Sequence, residues 1–457
     1  MGLPHALVLP YPAQGHVIPF MELSHCLVDH GFKITFVNTA SNHERVVAAF
    51  AGKEISPGRI DLVSVPDGLE EEDGGSGITH DLVKLTEGFL KVMPPRLEEL
   101  IQRSKGSSDE ITCMIADQNM AWALEVARKV GVRAAAFWPA SAAMLTTTLS
   151  IPKLITDGII DSNGVPMGGK TFQFSPSMPR MNTANLAWNF LGDRGHVLFI
   201  YILNNTRSTI AAAQLIICNS FHEIEAPVFA YAPDILPVGP LRSGHRPGKL
   251  VGHFWPEDQE CLTWLDRQLP GSVIYAAFGS TTIFDHRQFQ ALALGLQSIS
   301  DRPFLWVVRP DLIGDSTDAY ARGFLEGVGR RGKMVGWSPQ HEVLAHPSVG
   351  CFISHCGWNS TIEGVSNGVP FLCWPFFADQ FVNQGYICDV WRTGLKLVPD
   401  ESGVVTREEI KLKVEEVLGD VEMKARAMSL KEIGHKSASK GGTSFENFNR
   451  FVAALKE

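Results

Sequence analysis

Residues 337–380 read WSPQHEVLAHPSVGCFISHCGWNSTIEGVSNGVPFLCWPFFADQ, and the rest of the chain can be read outward from them. The apolar run 349–353 has the length and composition of a buried parallel strand. His355-Cys356-Gly357-Trp358-Asn359-Ser360-Thr361 follows at once, a tight glycine turn and a helix start. Asn359 and Ser360 are residue types that favour a helix N-cap. A helix N-terminus offers unpaired N–H groups and a partial positive charge, so it suits a diphosphate. Upstream, Trp337 follows a short strand at 333–335, on the side where open α/β sheets bind ligands, and its indole can stack on a flat base. A base beside a diphosphate means a nucleotide. Glu363 lies one turn beyond Asn359 on the same helix face, where a carboxylate can accept from ribose hydroxyls. Asp379 and Gln380, after a strand at 371–374, add groups suited to a sugar.

A chain of 457 residues is too long for one comfortable core, so two domains with a cleft between them are expected. A hydrophobic content of 45% leaves ample material to bury, and a formal charge of −9 argues against nucleic acid or an anionic membrane as the main partner. Eight scattered cysteines without a C-x-x-C pair read as reduced thiols of a cytoplasmic protein. The N-terminus agrees: it has no basic leader, Pro10 and Pro12 break its apolar run, and no apolar run reaches transmembrane length. Cys351, His355 and Cys356 lack the spacing of a structural zinc site, so no metal is expected.

Taken in order, the first forty residues form a β-α-β unit: an apolar run at 5–10, a glycine-containing loop through His16, a helical pattern closed by Gly31 and an alternating strand at 33–38. The unit lacks G-x-G-x-x-G, which counts against a dinucleotide here and against a Rossmann oxidoreductase. Strands are expected at 60–65, 111–116, 133–137 and 215–219, giving a doubly wound α/β domain. The acidic, glycine-rich segment 70–77 and the Gly/Pro/Ser-rich segment 158–180 read as surface loops. Pro/Gly-rich residues 237–252 break the pattern, and a second α/β series opens with a strand at 273–278, the turn Gly279-Ser280-Thr281 and a strand at 304–308. Two residues at ligand-side strand ends could meet as an acid–base pair: His16 after the first strand, and Asp117 after the strand at 111–116. Each could equally be a helix cap. An imidazole is largely neutral near pH 7, and a neighbouring carboxylate can orient it and stabilise its protonated form.

The segment 337–380 resembles the signature box of the plant family 1 UDP-sugar-dependent glycosyltransferases along its whole length, and YPAQGHVIPF resembles that family's N-terminal loop. The resemblance implies two Rossmann-like domains facing each other across a cleft, the GT-B architecture. An acceptor-binding domain would cover 1–240 and be completed by a C-terminal helix at 443–457. A linker at 241–252 and a UDP-sugar-binding domain at 253–442 would follow. It places uracil on Trp337 with Gln340 at its edge, the diphosphate on His355, Asn359, Ser360 and Ser280, the ribose on Glu363, and the hexose on Trp358, Asp379 and Gln380. His16 becomes the catalytic base and Asp117 its partner. Gln380 at the end of the box resembles the glucose-using members. One departure is Pro139, where many relatives carry Thr near the sugar.

The expected activity is inverting transfer of glucose from UDP-glucose to a hydroxyl of a flavonoid or other phenolic, giving a β-glucoside, by a monomer needing no cofactor beyond the co-substrate. Phe89, Trp122, Phe137, Met144, Trp188, Phe190 and Phe377 are candidates for the acceptor pocket. Alternatives stay open: a terpenoid, steroid or hormone acceptor, a C–C rather than a C–O bond, or a nucleotide-sugar-binding protein without turnover.

Overall fold

A computed structural model of the chain describes residues 3–49, 59–68, 82–168, 171–241, 254–299, 302–309, 324 and 328–457. The expected loop at 70–77 and almost all of the expected linker at 241–252 lie outside these residues. The chain divides into two compact units, Met1–Phe254 with Lys436–Glu457, and Trp255–His435.

The first unit is built on the strands β1 (His5–Leu9), β2 (Lys33–Thr39), β3 (Ile60–Val65), β4 (Cys113–Asp117) and β5 (Arg133–Trp138). A short antiparallel ribbon, β6 (Thr171–Phe172) with β7 (Met181–Asn182), lies apart from the sheet, which is completed by β8 (Leu215–Cys218) and β9 (Ile235–Pro237). The sheet order is β3-β2-β1-β4-β5-β8-β9, all parallel. Every residue of HALVL in β1 and CMIAD in β4 is buried, as expected of strands covered on both faces. On one face the helices Leu82–Ser104 and Trp122–Val130 bury Phe89, Met93, Leu97 and Leu124 against Leu7, Leu9, Met114 and Ala116.

Two local departures from the sequence reading bear on the site. The first helix runs Gln14–Asp29, so His16 sits in its first turn rather than in a loop. Ala13 has extended backbone and its carbonyl accepts from the N–H groups of His16 and Val17, which starts the helix early. Pro19 removes only one later bond, so the helix continues through it. After β4, Asp117, read as a possible helix cap, instead caps a 3-10 turn, Gln118–Met120, that precedes the helix Trp122–Val130.

Glu225 is fully buried in this unit. Its carboxylate accepts from the N–H groups of Ala142 and Ala143 at 2.9 and 2.8 Å, where the helix Ala142–Leu149 begins, and from the Ser220 hydroxyl at 2.5 Å. Burial pushes its carboxyl upward, while these three donors pull the other way. The terminal helix Thr443–Lys456 packs on the same unit. Arg133 donates to the Ala454 carbonyl at 3.0 Å and Asn447 to that of Pro237 at 2.9 Å, while Phe451 is fully buried.

The second unit carries β10 (Val273–Ala277), β11 (Phe304–Val307), β12 (Gly332–Val335), β13 (Val349–Ser354), β14 (Phe371–Cys373) and β15 (Gly394–Lys396). They form a parallel sheet in the order β12-β11-β10-β13-β14-β15. Its core joins Ile274, Ala276, Trp306 and Ile353 to Leu292 and Leu296 of the helix His286–Ser298 and Val414 and Val417 of the helix Arg407–Gly419. Among the described residues no helix is long and apolar enough to cross a membrane.

Candidate active site

In each sheet the strand order reverses once, between β1 and β4 in the first unit and between β10 and β13 in the second. At such a point neighbouring loops diverge to opposite faces and leave a crevice at the carboxyl ends of the strands. His16 follows β1 and Asp117 closes β4 there, and Ser280 and His355 follow β10 and β13.

In the first unit Asp117 closes β4 and is wholly buried. Its Oδ2 accepts from His16 Nδ1 at 2.6 Å and from the Tyr11 N–H at 3.2 Å, and its Oδ1 accepts from the Asn119 N–H at 2.9 Å. Asp117 is therefore both the cap of the 3-10 turn and the partner of His16. A carboxylate can only accept, so Nδ1 of His16 carries a proton, and in the neutral ring Nε2 presents a lone pair. His16 keeps 22% of its side chain exposed. The ring of Tyr11 lies 5.3 Å from it and that of Trp138 meets it edge-on at 6.4 Å. Behind the pair, the Tyr201 hydroxyl donates to the Asn119 carbonyl and braces the turn.

In the second unit the helix Trp358–Asn367 starts directly after β13, with Gly357 as its N-cap. Asn359 and Ser360, expected near the cap, lie instead within the first turn. The reason is steric: a Cβ at Gly357 would fall 2.4 Å from His355 Nε2, and one at Gly279 in the turn after β10 would fall 2.6 Å from the same atom. Gly279 also has φ +68°, a conformation that glycine adopts without penalty. The His355 imidazole thus fills the space between two glycine turns at the ends of neighbouring strands. Burial first, and then the Arg309 charge, lower its pKa to about 4. It is neutral at pH 7, so it can offer one N–H to an anion without bringing a charge of its own.

Around this imidazole the donor candidates are already linked. Gln340 Nε2 donates to Ser360 Oγ at 3.0 Å and to Glu363 Oε2 at 2.8 Å, and its Oε1 accepts from the Tyr275 hydroxyl at 3.2 Å. The Ser360 hydroxyl, having accepted, has its proton left to donate. Trp337 is half-buried and stacks on Trp255, centroids 5.0 Å apart at 26°. Ser280 lies half-buried in the turn after Gly279, and Trp358 is buried at the helix start. Gln380 is buried, with its amide oxygen accepting from the N–H groups of Phe376 and Phe377 at 2.7 and 3.2 Å. That orientation leaves its NH2 group as the end available to a ligand. Asp379 accepts from Asn383, which also donates to the Cys356 carbonyl, each at 2.8 Å, and so ties the Asp379 turn to the glycine turn.

Of the acceptor candidates, Phe89, Phe137, Met144 and Trp188 are buried; Phe137 packs on Phe20 at 4.7 Å, and the Trp188 indole donates to the Gly164 carbonyl at 2.8 Å. Trp122 and Phe377 are half-buried and Phe190 is exposed. Sequence reasoning passed over Tyr11, Asn383 and Arg309. For Arg309 there was a signal, a lone arginine closing the apolar strand at 304–308. Tyr11 acts through its main chain, which no side-chain pattern announces.

An oriented imidazole in one unit and a phosphate-ready helix start with an aromatic platform in the other are the equipment of a transferase using a nucleotide-activated group. The family described as "UDP-glucoronosyl and UDP-glucosyl transferase" matches residues 257–440. UDP-glycosyltransferase 83A1 of Arabidopsis thaliana is 45% identical over 100% of this chain and 97% of its own length. Linamarin synthase 1 of Manihot esculenta is 37% identical over 98% and 96%. Among solved structures, Os79 from O. sativa in complex with UDP aligns with a TM-score of 0.81 and 27% identity, covering 98% of this chain and 100% of that one. A UDP-glucosyltransferase from Polygonum tinctorium, capable of glucosylating indoxyl, gives 0.83 and 26% over 100% of both chains. The chain belongs to the plant family 1 UDP-sugar-dependent glycosyltransferases and is an enzyme of GT-B architecture.

Proposed function

We propose that this enzyme transfers glucose from UDP-glucose to a hydroxyl of a small apolar metabolite, a flavonoid or other phenolic first, with inversion to a β-glucoside. His16 Nε2 takes the acceptor's hydroxyl proton while its oxygen bonds to the anomeric carbon of the α-linked donor. The bond from that carbon to the diphosphate oxygen breaks, and UDP leaves with the electron pair. Asp117 holds the imidazole tautomer and stabilises the cation formed. Trp337 and Gln340 take the uracil and Glu363 the ribose, while Trp358, Asp379 and Gln380 take the hexose. The first turn after Gly357, with Asn359, Ser360, His355 and Ser280, takes the developing charge, so the mechanism calls for no metal. Trp122 and Phe190 of the first unit belong to the acceptor pocket, and the enzyme works as a cytoplasmic monomer. The observation that carries this reading is the 2.6 Å hydrogen bond between His16 and a buried Asp117 that also accepts from two main-chain N–H groups. A second acceptor class, terpenoid alcohols, is favoured by relatives named 7-deoxyloganetin glucosyltransferase, 34% and 32% identical to this chain.

The test is UDP release and product mass with UDP-glucose and a panel of phenols and terpenoid alcohols, with chelator present. His16→Ala and Asp117→Asn should each lower turnover by about 10²–10⁴-fold while UDP still binds. Full activity in His16→Ala would remove the base from the mechanism, and turnover abolished by the chelator would call for a metal.

A further inference from the structure

Arg309 is only 2% exposed, at the carboxyl end of β11, and none of the roles above uses it. Its guanidinium donates to the Gly279 carbonyl at 2.6 Å and to the Thr282 carbonyl at 3.1 Å, and so clamps both ends of the turn that follows β10. The face of the Trp255 ring lies against it, 5.8 Å from centroid to the guanidinium carbon, and Trp255 in turn stacks on Trp337. Burying an arginine is costly, and here its planar fork meets two main-chain acceptors that a lysine could not reach in the same geometry.

The consequence follows from the planarity of the peptide group. In a trans peptide the C=O and the next N–H point in opposite directions. When the Gly279 carbonyl is drawn to Arg309, the N–H of Ser280 must face the other way. A Cβ on Gly279 or on Gly357 at the helix start would collide with His355 Nε2, so the turn and the helix N-terminus share one imidazole as neighbour. An anion at that helix start therefore meets a Ser280 N–H whose direction Arg309 has fixed.

We propose that Arg309 is the positioning residue of the donor diphosphate site: by clamping the Gly279 and Thr282 carbonyls it aims the Ser280 N–H and keeps His355 seated between the glycine turns. The proposal rests on the UDP-sugar reading of the second unit. It assigns Arg309 no contact with the substrate. Its action is directional, so charge alone does not replace it. Arg309 also contributes to the neutrality of His355, and a cation removed from beside the ring lets the imidazole protonate at higher pH.

The experiment compares Arg309→Lys and Arg309→Met with the wild type, using UDP, uridine and UDP-glucose. Binding by calorimetry, the KM for UDP-glucose, circular dichroism of the unliganded protein and the His355 titration by NMR are read together. In Arg309→Lys, UDP affinity should fall by about tenfold or more and KM for UDP-glucose should rise in step, while uridine affinity changes by less than about twofold, since one lost set of charge-assisted contacts has that weight. In Arg309→Met the His355 titration should move upward. Arg309→Lys binding UDP as the wild type does would overturn the proposal, and so would an equal loss for UDP and uridine, which would make Arg309 a support of the base platform. If Arg309→Met does not fold, the lysine variant decides. A wild type that binds no UDP would instead sink the donor reading itself, whatever the variants do.

Discussion

His355 is a histidine that works by staying neutral. Burial and the neighbouring Arg309 hold its pKa near 4 in the folded chain, against an ordinary 6.5. Between those values the unfolded chain binds a proton that the folded chain refuses, so this residue's contribution to stability is complete above about pH 6.5. It fades as the pH falls toward 4. The span corresponds to about 3 kcal/mol. Denaturant unfolding followed from pH 7 to pH 4 should therefore show a shallower acid loss in His355→Gln than in the wild type. Parallel curves would mean that the ring is protonated in both states or in neither. The sequence pointed to His355 through the resemblance of its segment to the family's signature box. Its neutrality was not legible, because that depends on Arg309, just beyond β11 and 46 residues earlier in the sequence, and on burial.

At the scale of elements, the longer strands could be read from apolar runs bounded by turn residues, most within a residue of their expected bounds, whereas the short strands β6, β7, β9 and β15 were not expected and β6 falls in the segment 158–180 read as a loop. Helix starts were less legible. Gly357, not Asn359 or Ser360, caps the helix Trp358–Asn367, and Gln14, not a later residue, opens the first helix. In both cases the deciding fact is a close approach or a backbone angle, whereas cap preferences concern side chains that hydrogen-bond their own backbone. The glycine turn can be tested directly. In Gly357→Ala the new Cβ would lie 2.4 Å from His355 Nε2, so the imidazole must leave its place between the turns or the helix start must shift. UDP affinity should drop by about tenfold, the equivalent of roughly 1.4 kcal/mol, within the range typical of overpacked sites. Gly419→Ala, which meets nothing within 4 Å, serves as the control and should bind UDP unchanged. Equal affinity in both variants would show that the turn yields freely and that His355 is not held by it.

For the whole molecule, length and the change of pattern near residue 240 announce two α/β units. The end of the chain is harder to place from sequence. Phe445, Phe448, Val452 and Leu455 show by their spacing that the helix Thr443–Lys456 buries one face, but spacing cannot say against which core. Its partners are distant in sequence: His30, whose ring meets Phe448 at 5.1 Å and whose carbonyl accepts from Lys456 at 2.8 Å, Arg133, and the Pro237 carbonyl. The chain thus leaves its first unit at Phe254 and returns to it at Lys436. That return puts the last helix to work on the stability of the unit carrying His16 and Asp117. Phe451, wholly buried there, tests the division. Phe451→Ala should destabilise the protein by about 3–5 kcal/mol, the usual cost of emptying a buried phenylalanine site. Under conditions where the variant remains folded, its affinity for UDP should equal that of the wild type. An unfolding midpoint that does not move would take the helix out of the first unit's core, and a matching loss of UDP affinity would mean that its packing is felt at the nucleotide site as well.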